Sequence, residues 1–102
     1  MNSLPVIWSD RAWKDLEKIF DFIAKNSRTE AQKQIFRIID RANQLSTHPL
    51  SGTVQPDIDP VLQARYLVQD NYKIIYFVDE VRVVVDTVFD TRQDPKKLKL
   101  RP

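Results

Sequence analysis

The chain has 102 residues, which suits one domain with a single modest core. It has no cysteine and one glycine, which excludes a disulfide framework, a thiolate metal centre, a cysteine nucleophile and a glycine-rich phosphate loop. Its net charge of +2 comes wholly from residues 64–102, which carry eight basic and six acidic side chains where residues 1–63 carry eight of each, a mild bias that permits an acidic or nucleic-acid partner without demanding one.

The opening MNSLPVIWSD lacks the charged region and long apolar run of a signal peptide, and no apolar run in the chain reaches the roughly 18 residues that span a bilayer. A cytoplasmic protein without membrane association is expected. The β-branched and aromatic run at 4–8 predicts a first strand, with Pro5 at its start or edge. Ser9 is a candidate N-cap. Ala12, Trp13, Leu16, Ile19, Phe20 and Ile23 then recur at helical spacing and predict a helix over 10–25. Trp8 and Trp13 read as packing residues. SRTE at 27–30 has the capping-box spacing, and Ala31, Ile35, Ile38, Ile39, Ala42 and Leu45 predict a second helix over 28–46, stopped by Pro49. The short link between the two predicts an antiparallel hairpin.

Residues 48–63 hold three prolines and the glycine and read as a long irregular loop. ARYLVQ, YKIIYFV and VRVVVDTVFD follow as three strand-like runs, joined through Asp70–Asn71 and Asp79–Glu80 as consecutive hairpins. Simple alternation puts Val81, Val83, Val85, Thr87 and Phe89 on the core face of the last strand. It puts Arg82, Val84, Asp86, Val88 and Asp90 on a half-covered face. The expected architecture is α+β, in the order β-α-α-β-β-β. A helical hairpin packs on one face of a small, mainly antiparallel sheet, and a basic tail occupies about 93–102 of the single domain. The expected core contains Ile19, Ile23, Ile35, Ile39, Leu67, Ile74, Val83 and Val85. Truncating Ile39 to alanine is expected to cost about 2–5 kcal/mol if it is buried.

Catalytic constellations are scarce. The lone histidine, His48, precedes a proline at a helix end and reads as a surface residue. The carboxylates follow helix faces and turns rather than metal-ligand spacing, so neither a metal nor a cofactor is expected. What remains is a scatter of cations and aromatics on the strands: Arg65, Tyr66, Lys73, Arg82 and Arg92, with Lys96 and Lys97 in the tail, and Tyr72 and Tyr76 among them. Arginines and aromatics grouped on a sheet can hold RNA or another anion, and each alone equally suits an ordinary surface or core position.

IWSDRAWKDLEKIFDFIA, the helix ending in LSTHP, RYLVQDNYKIIYFVDE and VRVVVDTVFDTRQDPKKL together resemble the RelE/ParE toxin superfamily of bacterial type II toxin–antitoxin systems, from about Val6 to Leu98. The resemblance implies the same β-α-α-β-β-β fold and a toxin, of the kind tied to plasmid stabilisation, neutralised by a cognate antitoxin. Operator DNA would be reached only indirectly, through that antitoxin. RelE-like members cleave messenger RNA on the ribosome, and ParE-like members inhibit DNA gyrase without a known hydrolytic site.

In the nuclease branch, Arg65 would match the strand arginine and Arg92 the arginine after the last strand. The rest of that set is missing. Residues 48–63 contain no Lys or Arg, and residues 93–102 contain no Tyr, His or Glu to move a proton. The wording FDTRQDP is also closer to ParE-like members. The resemblance therefore favours gyrase inhibition by protein–protein binding, with Arg65, Tyr66, Lys73, Arg82, Arg92, Lys96 and Lys97 as contacts to target or antitoxin and no catalytic residue. The alternatives are a ribosome-dependent endoribonuclease using Arg65 and Arg92, and a degenerate, non-toxic module that only binds antitoxin.

Overall fold

A computed structural model describes residues 3–55 and 63–93. Strand β1 (Val6–Trp8) leads into helix α1 (Asp10–Ala24). Ser9 caps α1, its hydroxyl accepting from the Ala12 amide at 3.0 Å. Helix α2 (Arg28–Asn43) starts at Ser27, whose hydroxyl accepts from the Glu30 amide at 3.1 Å. The capping box is only half closed. The Ser27 amide is taken by the Ile23 carbonyl, and Glu30 pairs instead with Lys33 at 3.7 Å. A 3-10 turn, Gln44–Ser46, tightens the end of α2. Ser46 is tied to the N-terminal strand: its hydroxyl donates to the Leu4 carbonyl and its own carbonyl accepts from the Leu4 amide.

The sheet has five strands in the order β1-β5-β4-β3-β2, with β2 (Thr53–Val54), β3 (Arg65–Gln69), β4 (Tyr72–Val78) and β5 (Val83–Asp90). Only the β1–β5 pair is parallel. The α+β hairpin-on-sheet arrangement is as expected, with one addition. Part of the expected loop forms β2, which pairs with Tyr66 and Arg65 of β3. Two residues are too few for a periodic signal in sequence.

Two local features depart from simple alternation. Between β4 and β5 the turn is wider than the expected Asp79–Glu80 pair, because the Asp79 carboxylate accepts from the amides of both Val81 and Arg82. This side-chain turn lifts Val81 off the core face and leaves it 66% exposed. Further along, Ile75 pairs with Thr87 while Tyr76 pairs with Val85, so Asp86 is an extra residue in β5. One inserted residue shifts the side-chain period by one. After Asp86 the core residue is therefore Val88, not Phe89.

The bulge is fastened to α1. The Ser9 hydroxyl donates to the Asp86 carbonyl at 2.9 Å, and the Val88 amide donates to Asp15 Oδ2 at 2.9 Å. The Thr87 hydroxyl donates to Asp86 Oδ2 at 2.8 Å.

The core lies between the helices and the sheet. Leu67, Ile74, Val83 and Val85 are buried as expected. On α2 the sheet-facing row is Ala31, Gln34, Ile38 and Ala42, continued by Leu45. Ile35 and Ile39 flank that row and are half-buried, as are Ile19 and Ile23 on α1. Three adjacent isoleucines shared one broad stripe in sequence, and the row's centre falls on Ile38. Trp8 and Trp13 stack with ring centroids 5.3 Å apart, Trp8 against the core and Trp13 half in solvent.

Candidate functional site

Arg65 opens β3 opposite Tyr76 of β4. Its Nη1 donates to the carbonyls of Gly52 at 2.9 Å and Leu50 at 3.2 Å. The fully buried Tyr76 completes the clamp. Its hydroxyl donates to the Pro49 carbonyl and accepts from the Gly52 amide, both at 2.9 Å. Burial pushes the phenol above its ordinary range, which keeps the proton needed for the bond to Pro49. Arg65 and Tyr76 thus hold the loop that follows α2. Tyr76→Phe is expected to cost about 1–3 kcal/mol, because it strands a buried Gly52 amide. Chemical denaturation of variant and wild type measures it, and equal midpoints would contradict the clamp.

Tyr66 and Lys73 occupy the sheet face away from the helices, with Lys73 Nζ 4.2 Å from the centre of the Tyr66 ring. Arg82 sits in the β4–β5 turn, 3.8 Å from Asp79, both side chains about half exposed. Arg92 lies just past the other end of β5. Its Nε and Nη2 donate to the two oxygens of Asp90 at 3.0 and 2.9 Å, and its amide donates to Asp90 as well. Those guanidinium hydrogen bonds hold the Asp90 carboxyl below the usual carboxylate range. Lys96 and Lys97 lie outside the described residues, as does Asp94, the other acid near Arg92 in sequence.

The predicted contacts therefore do not form one cluster. Arg65 pairs with Tyr76, whereas Asp90, the partner of Arg92, pairs with Tyr72. Four residues of extended strand separate those positions, about 13 Å at the usual rise. Tyr72 and Tyr76 belong to the core cluster, and His48 is exposed beside Thr47, whose hydroxyl lies 2.9 Å from its Nδ1. Among the described residues, no group of three or more His, Asp or Glu side chains is placed to hold a metal. No described helix is long and apolar enough to cross a membrane.

Sequence reasoning overlooked the acidic joint beside the bulge. Its one signal was Asp86, a carboxylate inside the run VVVDTVF. Asp86 is nearly buried, and burial raises the Asp15 carboxyl above its ordinary value, with the nearby Asp86 charge adding to the rise. A raised folded-state value means the native state holds the proton more tightly than the unfolded chain. Ionised Asp15 thus costs stability above its folded value, and the cost fades as pH falls through it. Asp15→Asn keeps an oxygen for the Val88 amide without the charge. The variant is expected to match or exceed wild-type stability at neutral pH, with the gap closing on acidification. Urea midpoints across that range check this, and a gap that widens towards acid would contradict it.

Solved structures include a close backbone match. The "Chromosomal ParDE TA system from P. aeruginosa" superposes with a TM-score of 0.73 over 86% of this chain and 96% of that one, at 18% identity, a likeness of fold. Among curated proteins none matches the sequence. The family model described as "ParE toxin of type II toxin-antitoxin system, parDE" matches residues 6–95. Since that match spans nearly the whole chain, this protein belongs to the ParE toxin family of type II toxin–antitoxin systems.

Proposed function

We propose that the chain acts in the cytoplasm as a poison of DNA gyrase, working by surface contact, and that a cognate antitoxin neutralises it and alone connects it to operator DNA. The observation that carries this reading is the engagement of Arg65 and Arg92. These two residues match the nuclease branch. Arg65 is committed to the carbonyls of Leu50 and Gly52, and Arg92 to both oxygens of Asp90. Arg65 lies opposite Tyr76 of β4, and Asp90, which holds Arg92, lies opposite Tyr72. Cleavage through a ribose 2′-hydroxyl requires a base, an acid and cations converging within hydrogen-bond reach of one phosphate. Two arginines held apart in this way do not meet that requirement, whereas inhibition by binding requires only a stable surface.

The test is incubation of purified protein with translating ribosomes and a reporter message. No cleavage above background is expected. Efficient cleavage abolished by Arg65→Ala would overturn the proposal and make the arginines a catalytic pair.

A further inference from the structure

The second half of β5 can be laid against β4 in two ways, and its apolar pattern does not choose between them. In the observed register Val88 lies opposite Ile74 and Phe89 opposite Lys73, with Asp86 as the extra residue. Val88 is in the core, and Phe89 is half-buried on the face away from the helices. A ladder continued from the Tyr76–Val85 pair without the insertion would set Val88 opposite Lys73 and Phe89 opposite Tyr72. A slip of one residue turns each side chain to the other face, so Phe89 would enter the core and Asp90 would cross to the open face. Either register buries one apolar side chain of the Val88–Phe89 pair.

Backbone direction separates the two. The Val85 carbonyl faces β1, where it accepts from the Ser9 amide at 2.9 Å. Backbone groups alternate in direction along a strand, so without the insertion the Val88 amide would face β4 and join its ladder. The insertion turns that amide to the opposite side, past the end of β1 at Trp8, and there it donates to Asp15 Oδ2 at 2.9 Å. The Asp86 carbonyl faces the same side and accepts from the Ser9 hydroxyl at 2.9 Å. Both bonds require the bulged register. Asp15 is a costly choice of acceptor, because burial opposes its charge. A polar group kept at such a cost has its best-attested use in fixing register.

We propose that Asp15, with Ser9, is a register lock that holds β5 in the bulged alignment, showing Phe89 beside Lys73 and Tyr66 on the open face and keeping Asp90 on the helix side beside Tyr72. The lock shapes both faces of the sheet, whatever partner binds them.

The test is NMR of the full chain, read through cross-strand nuclear Overhauser contacts between β4 and β5. Wild type and Asp15→Asn, which keeps an acceptor, are expected to show only the Ile74–Val88 and Lys73–Phe89 pairs. Asp15→Leu leaves the Val88 amide unpaired in the bulged alignment, a loss that slipping into the continuous ladder repairs. Lys73–Val88 and Tyr72–Phe89 contacts are therefore expected in that variant, as a second or the sole set of resonances. A folded Asp15→Leu chain with the wild-type pairs alone would overturn the proposal.

Deletion of Asp86 supplies the second arm. The shortened strand alternates continuously with Val88 still opposite Ile74, so the lock has nothing left to decide. The deletion chain is expected to fold and to keep the wild-type pairs with or without Asp15→Leu. Should Asp15→Leu unfold the full chain, a folded deletion chain carrying the same substitution would uphold the lock. Unfolding in both would overturn it, because Asp15 would then act on stability rather than register. A deletion chain that fails to fold with Asp15 in place would overturn it too, by showing that Asp86 is not a dispensable insertion.

Discussion

Ile38→Ala is expected to destabilise the fold by about 2–5 kcal/mol, among the largest losses a single truncation should produce here. Ile38 has no exposed surface and sits at the centre of the row that α2 presents to the sheet, between Gln34 and Ala42. Removing its outer carbons forfeits their transfer energy. It also leaves a cavity that cannot collapse, because α2 is tethered at both ends of the row. Gln34 Nε2 donates to Asp70 at the β3–β4 turn, and Ser46 is bonded to Leu4. Ile39→Ala should cost clearly less, since Ile39 is half-buried beside the row. Equilibrium urea unfolding of the two variants measures the difference. An Ile39 variant weaker than the Ile38 variant would mean that the face of α2 is misassigned.

Gly52→Ala is expected to be nearly as harmful for the opposite reason. A methyl group at Gly52 would lie 2.5 Å from the Tyr76 hydroxyl oxygen, 2.8 Å from the Tyr76 ring and 2.7 Å from the Tyr66 carbonyl. Overpacking of this kind costs about 1–3 kcal/mol. A further 1–3 kcal/mol or so follows if the loop moves and the Gly52 amide loses its phenol. Gly52 is required by close approach, not by backbone conformation, since it has no positive φ. Removing the hydroxyl with Tyr76→Phe should not rescue the variant, because the Tyr66 carbonyl and the ring remain too close. Thermal melts of the single and double variants decide this. A double variant as stable as Tyr76→Phe alone would show that the backbone contact is not limiting.

Where local signals agree, the fold is legible in the sequence. Ser9 and Ser27 mark both helix starts, and YKIIYFV forms a strand over all seven of its residues. Asp70 adopts the left-handed backbone that the tight Asp70–Asn71 turn requires, which aspartate tolerates better than most residues. The misjudged features depend on long-range or side-chain geometry. The Asp86 bulge takes its shape from partners far away in sequence, Ser9 and Asp15. Asp79 builds its wide turn with a carboxylate, which a count of turn residues overlooks.

The candidate site was less legible than the fold. Arg65 and Arg92 look like free cations in sequence, and only the tertiary structure brings the loop carbonyls and the Asp90 fork to them.

Supercoiling of relaxed plasmid by purified gyrase, titrated with this protein and resolved for cleaved complexes, tests the central claim most directly. Loss of supercoiling with accumulation of linear, gyrase-linked DNA is predicted. That activity should persist in His48→Ala, because an exposed histidine has no proton-transfer task in a binding mechanism. Undiminished supercoiling at protein concentrations that arrest cell growth would contradict the account.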